Sequence, residues 1–237
     1  MTSEVQGKLK KQKKRRPPPH EPTIKDDLTV IAHITVVTFV ILIVYLCLTR
    51  PFEFFTWHPL LMSLGWMLLM YEGIIVISKE NPIGHYFGLT HDLKNFWHWV
   101  LITAASFLVL AGFAVVYTNK NQEGKDHFTS WHGLFGLLSI IICFPSVVNG
   151  TATLWEPKLK NVLDPYVTKL IHQCFGTVAI IFGGLCSILS VYSNWFAVAS
   201  HRNKYMYLVG IVCTVYSFIW ILQRPLLKCY RKIFKKQ

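Results

Sequence analysis

The fold is decided by apolar segments such as residues 57–78, which read WHPLLMSLGWMLLMYEGIIVIS. This segment carries a histidine near its start, His58, and a single acid near its end, Glu72. A helix of about 20 mostly apolar residues is the element that crosses a hydrocarbon core roughly 30 Å thick. Residues 57–78 are therefore predicted to form a membrane-spanning helix with a histidine close to one membrane face.

Five further segments have a similar length and composition, so the chain is predicted to be an all-α polytopic membrane protein with six transmembrane helices. Of its 237 residues, 52% are apolar and only 15% are charged, which is too apolar for a soluble domain of this size. The predicted spans are 28–49, 57–78, 97–117, 131–152, 169–191 and 205–223. We divide the chain into a disordered basic arm (1–25), a transmembrane domain (26–225) and a basic C-terminal tail (226–237).

The net charge of +12 gives the orientation of the chain and does not indicate a nucleic-acid partner. Six spans put both termini on one side, and that side carries 19 of the 24 lysines and arginines, most of them in the two tails. By the positive-inside rule both termini are predicted to be cytoplasmic. The tails are expected to contact anionic lipid headgroups. The pattern fits an endomembrane (ER or vesicle) and the plasma membrane equally.

Histidine is the ionisable residue that recurs at membrane depth. His58, His98, His132 and His172 each lie in the first turn or so of spans two to five. Because successive spans run in opposite directions, His58 and His132 lie near the non-cytoplasmic face, and His98 and His172 near the cytoplasmic face. Two imidazoles at equal depth on different helices of a bundle are what a bis-histidine haem iron requires. The pattern therefore predicts two b haems, one in each leaflet.

Two glycines accompany these histidines. Gly136 and Gly176 lie four residues after His132 and His172, on the same helix face and one turn deeper. A missing side chain at these positions leaves room for a flat macrocycle, and small residues equally favour close helix packing in membranes. The sequence leaves both interpretations open.

The remaining histidines receive separate interpretations. His33, in the first span, has no predicted partner at its depth and is expected to be non-functional. His85 and His91 are expected to be solvated residues of a cytosolic loop. His127 and His201 lie in the two outer loops and are candidate contacts for an electron acceptor such as ferric ion.

Four short motifs surround the paired histidines: FTWHPLLMS at 55–63, FWHW at 96–99, GKDH at 124–127 followed by WHG at 131–133, and KLIH at 169–172 followed by Gly176. Taken together in this order, they resemble the cytochrome b561 family of ascorbate-dependent transmembrane reductases, in particular the group that includes 101F6-type proteins. The resemblance covers residues 28 to 225. LMYE at 69–72 also fits the family pattern, and Glu72 is expected near the inner site.

The resemblance implies that His58 with His132, and His98 with His172, are axial ligands of two haems b held by the middle four helices. It implies an oxidoreductase that moves electrons from cytosolic ascorbate to monodehydroascorbate or ferric iron beyond the membrane, with a homodimer as a candidate assembly. Because a cation stabilises the ascorbate anion at a low-dielectric surface, Lys94 and Lys169 are candidate substrate contacts. Both are equally typical of interfacial lysines that extend their charge to the headgroups.

Two other classes of function stay open at this point. A haem-bearing membrane subunit that relays the electrons of a docked oxidoreductase would carry the same histidines, and its basic tails would be docking surfaces. A transporter would use the histidines for a metal ion or a proton pathway. Transport sites usually lie at the bilayer midplane, which argues against histidines at both faces.

Overall fold

The protein folds into helices throughout the part described by this computed structural model, residues 23–78, 81–154 and 164–234. The helices are numbered in chain order as α1 (Ile24–Leu48), α2 (Phe54–Ile75), α3 (Pro82–Tyr86), α4 (His91–Gln122), α5 (Trp131–Leu154), α6 (Pro165–Ser190), α7 (Asn194–Ala199) and α8 (Lys204–Phe234). All except the short α3 and α7 are long and apolar enough to cross a membrane. The predicted all-α fold with six spans is confirmed.

The helix ends depart from the predicted spans where polar caps extend the helices beyond the apolar segment. α4 begins at His91 because the Thr90 side chain accepts a hydrogen bond from the backbone N–H of Leu93. α6 begins at Pro165, where Asp164 accepts a hydrogen bond from the N–H of Tyr166. Most of the predicted arm, residues 1–22, and the last residues of the tail, 235–237, lie outside the described part of the chain.

α2 is the irregular helix of the bundle. It begins with a 3₁₀ turn (Phe54–Thr56), continues as α-helix (Trp57–Met62), widens into a π-helix (Ser63–Met70) and returns to α-helix (Tyr71–Ile75). Such π segments are rare and often occur at functional sites. Because a π turn contains more residues than an α turn, the side chains after it do not lie on the face that a period of 3.6 predicts.

The four helices that carry the paired histidines form the centre of the bundle. α5 packs along α6, and α2 packs along α4, while α1 and α8 lie against each other, with α1 on α2 and α8 on α6. Buried side chains of α1 (Phe39, Ile43, Leu46) meet Met67 of α2 and Cys213 of α8. In lipid this packing acts mainly through van der Waals contact, because lipid tails are as apolar as the side chains. The two outer helices thereby support α2 and α6.

Candidate functional site

The structure brings the predicted outer pair of histidines together. His58, in the first α-turn of α2, and His132, the second residue of α5, have ring centroids 6.3 Å apart. The two ring planes are inclined at 83°. The rings therefore lie across from each other at the end of the bundle where α2 and α5 begin.

The predicted inner pair has nearly the same geometry at the opposite end. His98 of α4 and His172 of α6 have ring centroids 6.1 Å apart and ring planes inclined at 87°. The two pairs lie on different helices, α2 with α5 and α4 with α6. All four central helices thus contribute one imidazole each.

Both separations fit one metal ion between two imidazole nitrogens. With metal–nitrogen bonds of about 2 Å, and ring centres roughly 1.2 Å behind the nitrogens, the two centroids should lie about 6 Å apart. The described residues contain no group of three or more His, Cys, Asp or Glu side chains that could hold a metal ion. A metal ion between the two imidazoles of one of these pairs would need its other ligands from a group such as a porphyrin.

Backbone carbonyls set the tautomer of all four imidazoles. Each Nδ1 donates to a carbonyl oxygen of a neighbouring helix: His58 to Gly112 (2.9 Å), His98 to Gly73 (2.5 Å), His132 to Cys186 (3.0 Å) and His172 to Ser146 (2.8 Å). A carbonyl oxygen can only accept, so the proton lies on Nδ1 and Nε2 keeps its lone pair. A neutral imidazole with a free Nε2 is the form that ligates metals.

These hydrogen bonds reveal an internal repeat that the sequence interpretation missed. α2 and α4 exchange two of them, α5 and α6 exchange the other two, and the bonds of His58 and His132 each span 54 residues. His132 follows His58, and His172 follows His98, by the same 74 positions. This equal spacing was the signal in the sequence that could have revealed the repeat.

A cavity of about 350 Å³ adjoins the outer pair. Its lining is mostly apolar and includes both outer histidines, Gly136 and Gly183 of the central helices, and loop residues on the far side of the outer pair such as His127. Ligand sites in proteins have this character, a largely apolar cleft with a few placed polar groups. The cavity gives the outer pair the space that a planar cofactor needs.

Comparison with known proteins identifies the family. The family model described as eukaryotic cytochrome b561 matches residues 57–197, which include all four paired histidines. The chain belongs to the cytochrome b561 family. Membership in a family of cytochromes makes haem b the cofactor and electron transfer the general function, and the six spans place that function in a membrane.

Named relatives extend the similarity beyond the matched family segment. Transmembrane reductase CYB561D2 of Bos taurus and the protein of the same name in Homo sapiens are each 32% identical to this cytochrome b561 over 194 residues, which is 81% of this chain and 84% of theirs. Plasma membrane ascorbate-dependent reductase CYBRD1 of Mus musculus is 23% identical over 185 residues, 72% of this chain and 61% of that protein. No solved structure matches the chain.

One histidine of each pair in this cytochrome b561 has an additional side-chain contact. Ser146 Oγ lies 3.2 Å from His172 Nδ1 and donates to the His172 carbonyl oxygen at 2.9 Å. Cys186 Sγ occupies the equivalent place, 3.3 Å from His132 Nδ1 and 3.4 Å from the His132 carbonyl oxygen. The other two imidazoles donate to glycine carbonyls, at Gly112 and Gly73. In each pair, one histidine therefore lies against a polar side chain, Cys186 in the outer pair and Ser146 in the inner pair.

Gly136 and Gly176 both allow α5 and α6 to approach. A Cβ atom at Gly136 would lie 3.3 Å from Cys186 Sγ, and one at Gly176 would lie 2.9 Å from Ser146 Oγ. Close helix packing is therefore the role that the geometry favours for Gly176. Gly136 combines both predicted roles, since it also lines the outer cavity.

The candidate substrate contacts lie in different surroundings. Lys94 is half-buried, and its Nζ donates to the Ser78 carbonyl oxygen at 3.4 Å, while Lys169 is exposed near the start of α6. His127 stacks on Tyr117 with ring centroids 4.2 Å apart, and its Nε2 donates to Asn121 Oδ1 at 2.7 Å. His127 is therefore held in place at the rim of the outer cavity.

The other outer-loop residues are exposed. His201 lies in the turn between α7 and α8 with a backbone φ of 50°. Glu123, at the end of α4, pairs with Lys125 at 2.5 Å, and the hydrogen bond from this lysine holds the pKa of the Glu123 carboxyl below its usual value. Lys120 donates to the Asp126 carbonyl oxygen and also lines the outer cavity. The rim of this cavity is thus a polar surface that includes the cation of Lys120.

The prediction that His33 has no partner at its depth is wrong. Its Nδ1 lies 2.7 Å from Oε1 of Glu72, so a hydrogen bond between two ionisable side chains joins α1 to α2. Glu72 was expected near the inner site, and its carboxylate is directed to α1. The next residue, Gly73, is the one that contacts the inner site, through its carbonyl oxygen and His98.

Proposed function

We propose that this cytochrome b561 carries electrons across the membrane from cytosolic ascorbate to an acceptor on the other side, monodehydroascorbate or ferric iron. The single observation that carries the proposal is the pair of matched imidazole pairs at opposite ends of one four-helix bundle. Their centroid separations, 6.3 Å and 6.1 Å, and their protonated Nδ1 atoms suit two bis-histidine haems.

In this proposal His58 and His132 ligate the outer haem b, and His98 and His172 ligate the inner one. The haems, when bound, supply the redox change and divide the crossing into shorter steps. The protein orients each imidazole through its Nδ1 hydrogen bond, which leaves Nε2 as the nitrogen directed to the metal. The surrounding apolar helices exclude water, so little polar solvent must reorganise around the site.

Ascorbate as the donor is supported by the name of the mouse relative, an ascorbate-dependent reductase, and by the lysines of the inner face. Lys94, four residues before His98, and Lys169, three before His172, are one helical turn from the inner ligands. Their positive charges lower the cost of bringing an enediolate to the membrane surface. We therefore assign ascorbate to the inner end.

The acceptor is assigned to the rim of the outer cavity. Lys120 and His127 both line this cavity together with the outer histidines. A cation and an imidazole suit an anionic acceptor such as monodehydroascorbate or a ferric chelate. The excess of basic residues in both tails supports an orientation in which this rim faces away from the cytosol.

The test uses purified protein reconstituted in liposomes with ascorbate inside and an impermeant ferric chelate outside. Wild type is expected to contain two b haems per chain, to be reduced by ascorbate alone and to reduce the external chelate. His98→Ala is expected to lose one haem and at least tenfold in the rate of reduction by ascorbate. The control His91→Ala alters an exposed histidine at the start of the same helix and should behave like wild type.

Two results would contradict the proposal in different ways. Purified protein without a Soret band would exclude both haem sites. Protein that contains both haems, but accepts electrons only from an added soluble reductase, would favour the relay subunit over an ascorbate-dependent enzyme.

A further inference from the structure

The hydrogen-bonded pair of His33 and Glu72 is a second ionisable site within the predicted spans, separate from the paired histidines. The side chains are 12% and 25% exposed, and the His33 Nδ1 to Glu72 Oε1 distance is 2.7 Å. Two buried polar atoms beside the pair, His33 Nε2 and the Tyr71 hydroxyl, have no hydrogen-bond partner. Ionisable side chains inside a membrane are costly and usually mark a functional site.

Holding α1 against its neighbours does not require such a pair. α1 is already joined to α8 by a hydrogen bond between the hydroxyls of Thr35 and Ser217 at 2.9 Å, and by buried apolar contacts. A hydroxyl pair costs less to bury than a carboxylate with an imidazole. His33 and Glu72 can gain and lose a proton, whereas the hydroxyls of Thr35 and Ser217 cannot.

The pair is joined to the inner imidazole site by a single residue. Glu72 precedes Gly73, and the Gly73 carbonyl oxygen accepts the Nδ1 hydrogen bond of His98. The helices are in tight contact here, since a Cβ atom at Gly73 would lie 2.9 Å from a side-chain atom of Ile102 on α4. In such a low-dielectric region, a charge added at one site is felt strongly at the other.

The other titratable groups around the pair come from several helices. His33 makes an edge contact with Tyr71 at a centroid distance of 6.5 Å, and Tyr216 of α8 donates its hydroxyl to the Leu28 carbonyl oxygen. Asp26, at the start of α1, accepts hydrogen bonds from Thr23. Other titratable groups on the packed elements include Lys25 and Asp27 on α1, His85 on α3, Asp92, Lys94 and His98 on α4, and Arg224 on α8. His33 and Glu72 are in direct contact through their ionisable atoms.

The geometry points to a proton-loading site: His33 and Glu72 together bind one additional proton when an electron enters the inner site, and release it when the electron moves on. This inference rests on the proposed function. One-electron oxidation of the ascorbate monoanion yields one electron and one proton. The electron goes to the inner site, and an equivalent proton goes from the cytosolic side to His33 and Glu72. An electron and a proton together add no net charge, so taking up both avoids burying a net negative charge among the helices. On release, the proton returns to the cytosol through the partly exposed Glu72.

The first test is a redox titration of the wild-type holoprotein at a series of pH values. Uptake of a proton on reduction makes a midpoint potential fall as pH rises, so the inner haem should show this fall and the outer haem should not. In Glu72→Gln and His33→Gln the inner midpoint should lose its pH dependence. Ser217→Ala is the matched control, because it removes an α1 contact without a titratable group, and it should keep the dependence.

A second readout needs no variant. In reduced-minus-oxidised infrared difference spectra, a protonated carboxylic acid band should appear on reduction and shift when the protein is labelled with ¹³C-glutamate. The label separates glutamate side chains from the haem propionates, and Glu72 is the one glutamate within the six predicted spans. This measurement decides the question even if the variants do not fold.

The outcomes separate the inference from the proposed function. A wild-type protein with two ascorbate-reducible haems, a pH-independent inner midpoint and no labelled band would overturn the proton-loading site alone. The same holds if Ser217→Ala abolishes the pH dependence as fully as Glu72→Gln, because the pair would then act only through packing. A protein that binds no haem would overturn both.

Discussion

At the scale of single residues, one glycine of α5 controls the space for the inner imidazole. A Cβ atom at Gly150 would lie 2.9 Å from both Cε1 and Nδ1 of His172. Contacts this short between carbon and ring atoms do not occur in relaxed structures, so the ring or the helix would have to move. The carbonyl of Ser146 that orients the same ring lies one turn away on the same helix. Gly150 is therefore needed for the His172 orientation that we assign to a haem ligand.

Gly150→Ala is expected to displace the His172 ring and to cut the haem content of the purified protein by about half. Overpacking of this kind costs about 1–3 kcal/mol, which is enough to weaken one ligand without unfolding the bundle. The haem content per chain, measured after extraction, checks the expectation. Gly210→Ala on α8 is the control, because its Cβ atom would meet a flexible Val191 methyl at a milder 3.2 Å and Gly210 does not line the outer cavity. Equal haem content in both variants would argue against this role of Gly150.

At the scale of helices, α2 is the element on which the outer site and the proton-loading pair both depend. Its π segment contains Trp66, whose indole lies directly against the backbone of Gly183 on α6. A Cβ atom at Gly183 would lie 1.6 Å from a ring carbon of Trp66, so no side chain fits there. Both residues line the outer cavity. The contact therefore sets the distance between α2 and α6 at this depth.

Gly183→Ala is expected to lower the thermal unfolding midpoint in detergent and to alter the spectrum of the outer haem, because the Trp66 indole must leave its position. The cost should reach or exceed the 1–3 kcal/mol typical of overpacked cores. Gly210→Ala on α8 provides a comparison, with its nearest contact at 3.2 Å to a flexible Val191 methyl. An unchanged midpoint and spectrum in Gly183→Ala would show that α2 and α6 are not in the contact described.

At the scale of the whole molecule, the number of spans and the distribution of charge predict the direction of electron flow. Six spans put both ends of the chain on the same side, and the positive-inside rule predicts that this side is cytosolic. In this proposed orientation Lys94, Lys169 and the His33–Glu72 pair lie in the cytosolic half. The cavity rim with His127 then faces the opposite compartment.

Epitope tags at the two termini are expected to be digested together when protease is added to the cytosolic face of sealed vesicles. A tag inserted in the outer loop after Glu123 should be protected under the same conditions, because that loop lies across the bilayer. Immunoblotting before and after permeabilisation checks both expectations. Protection of the terminal tags with digestion of the loop tag would reverse the assignment of donor and acceptor sides.

The sequence by itself determined the class of fold, because lipid requires long apolar helices and these are visible as segments along the chain. It also predicted that His58 lies at the same depth as His132, and His98 at the same depth as His172, because depth follows from the position of a residue in its span. Their role as haem ligands stays a prediction.

Only the tertiary structure decided which atoms face each other across the helices. The acceptors of the four Nδ1 protons, and the contact of His33 with Glu72 across 39 residues, depend on how each helix is rotated about its axis. In a regular helix, the period of 3.6 residues fixes the direction of each side chain around the axis. The π segment of α2 changes the direction of Glu72 relative to that of His58. The six spanning helices are apolar on the faces toward lipid as well as on the faces toward each other. Hydrophobicity along the sequence therefore does not show which face of a helix packs inside the bundle.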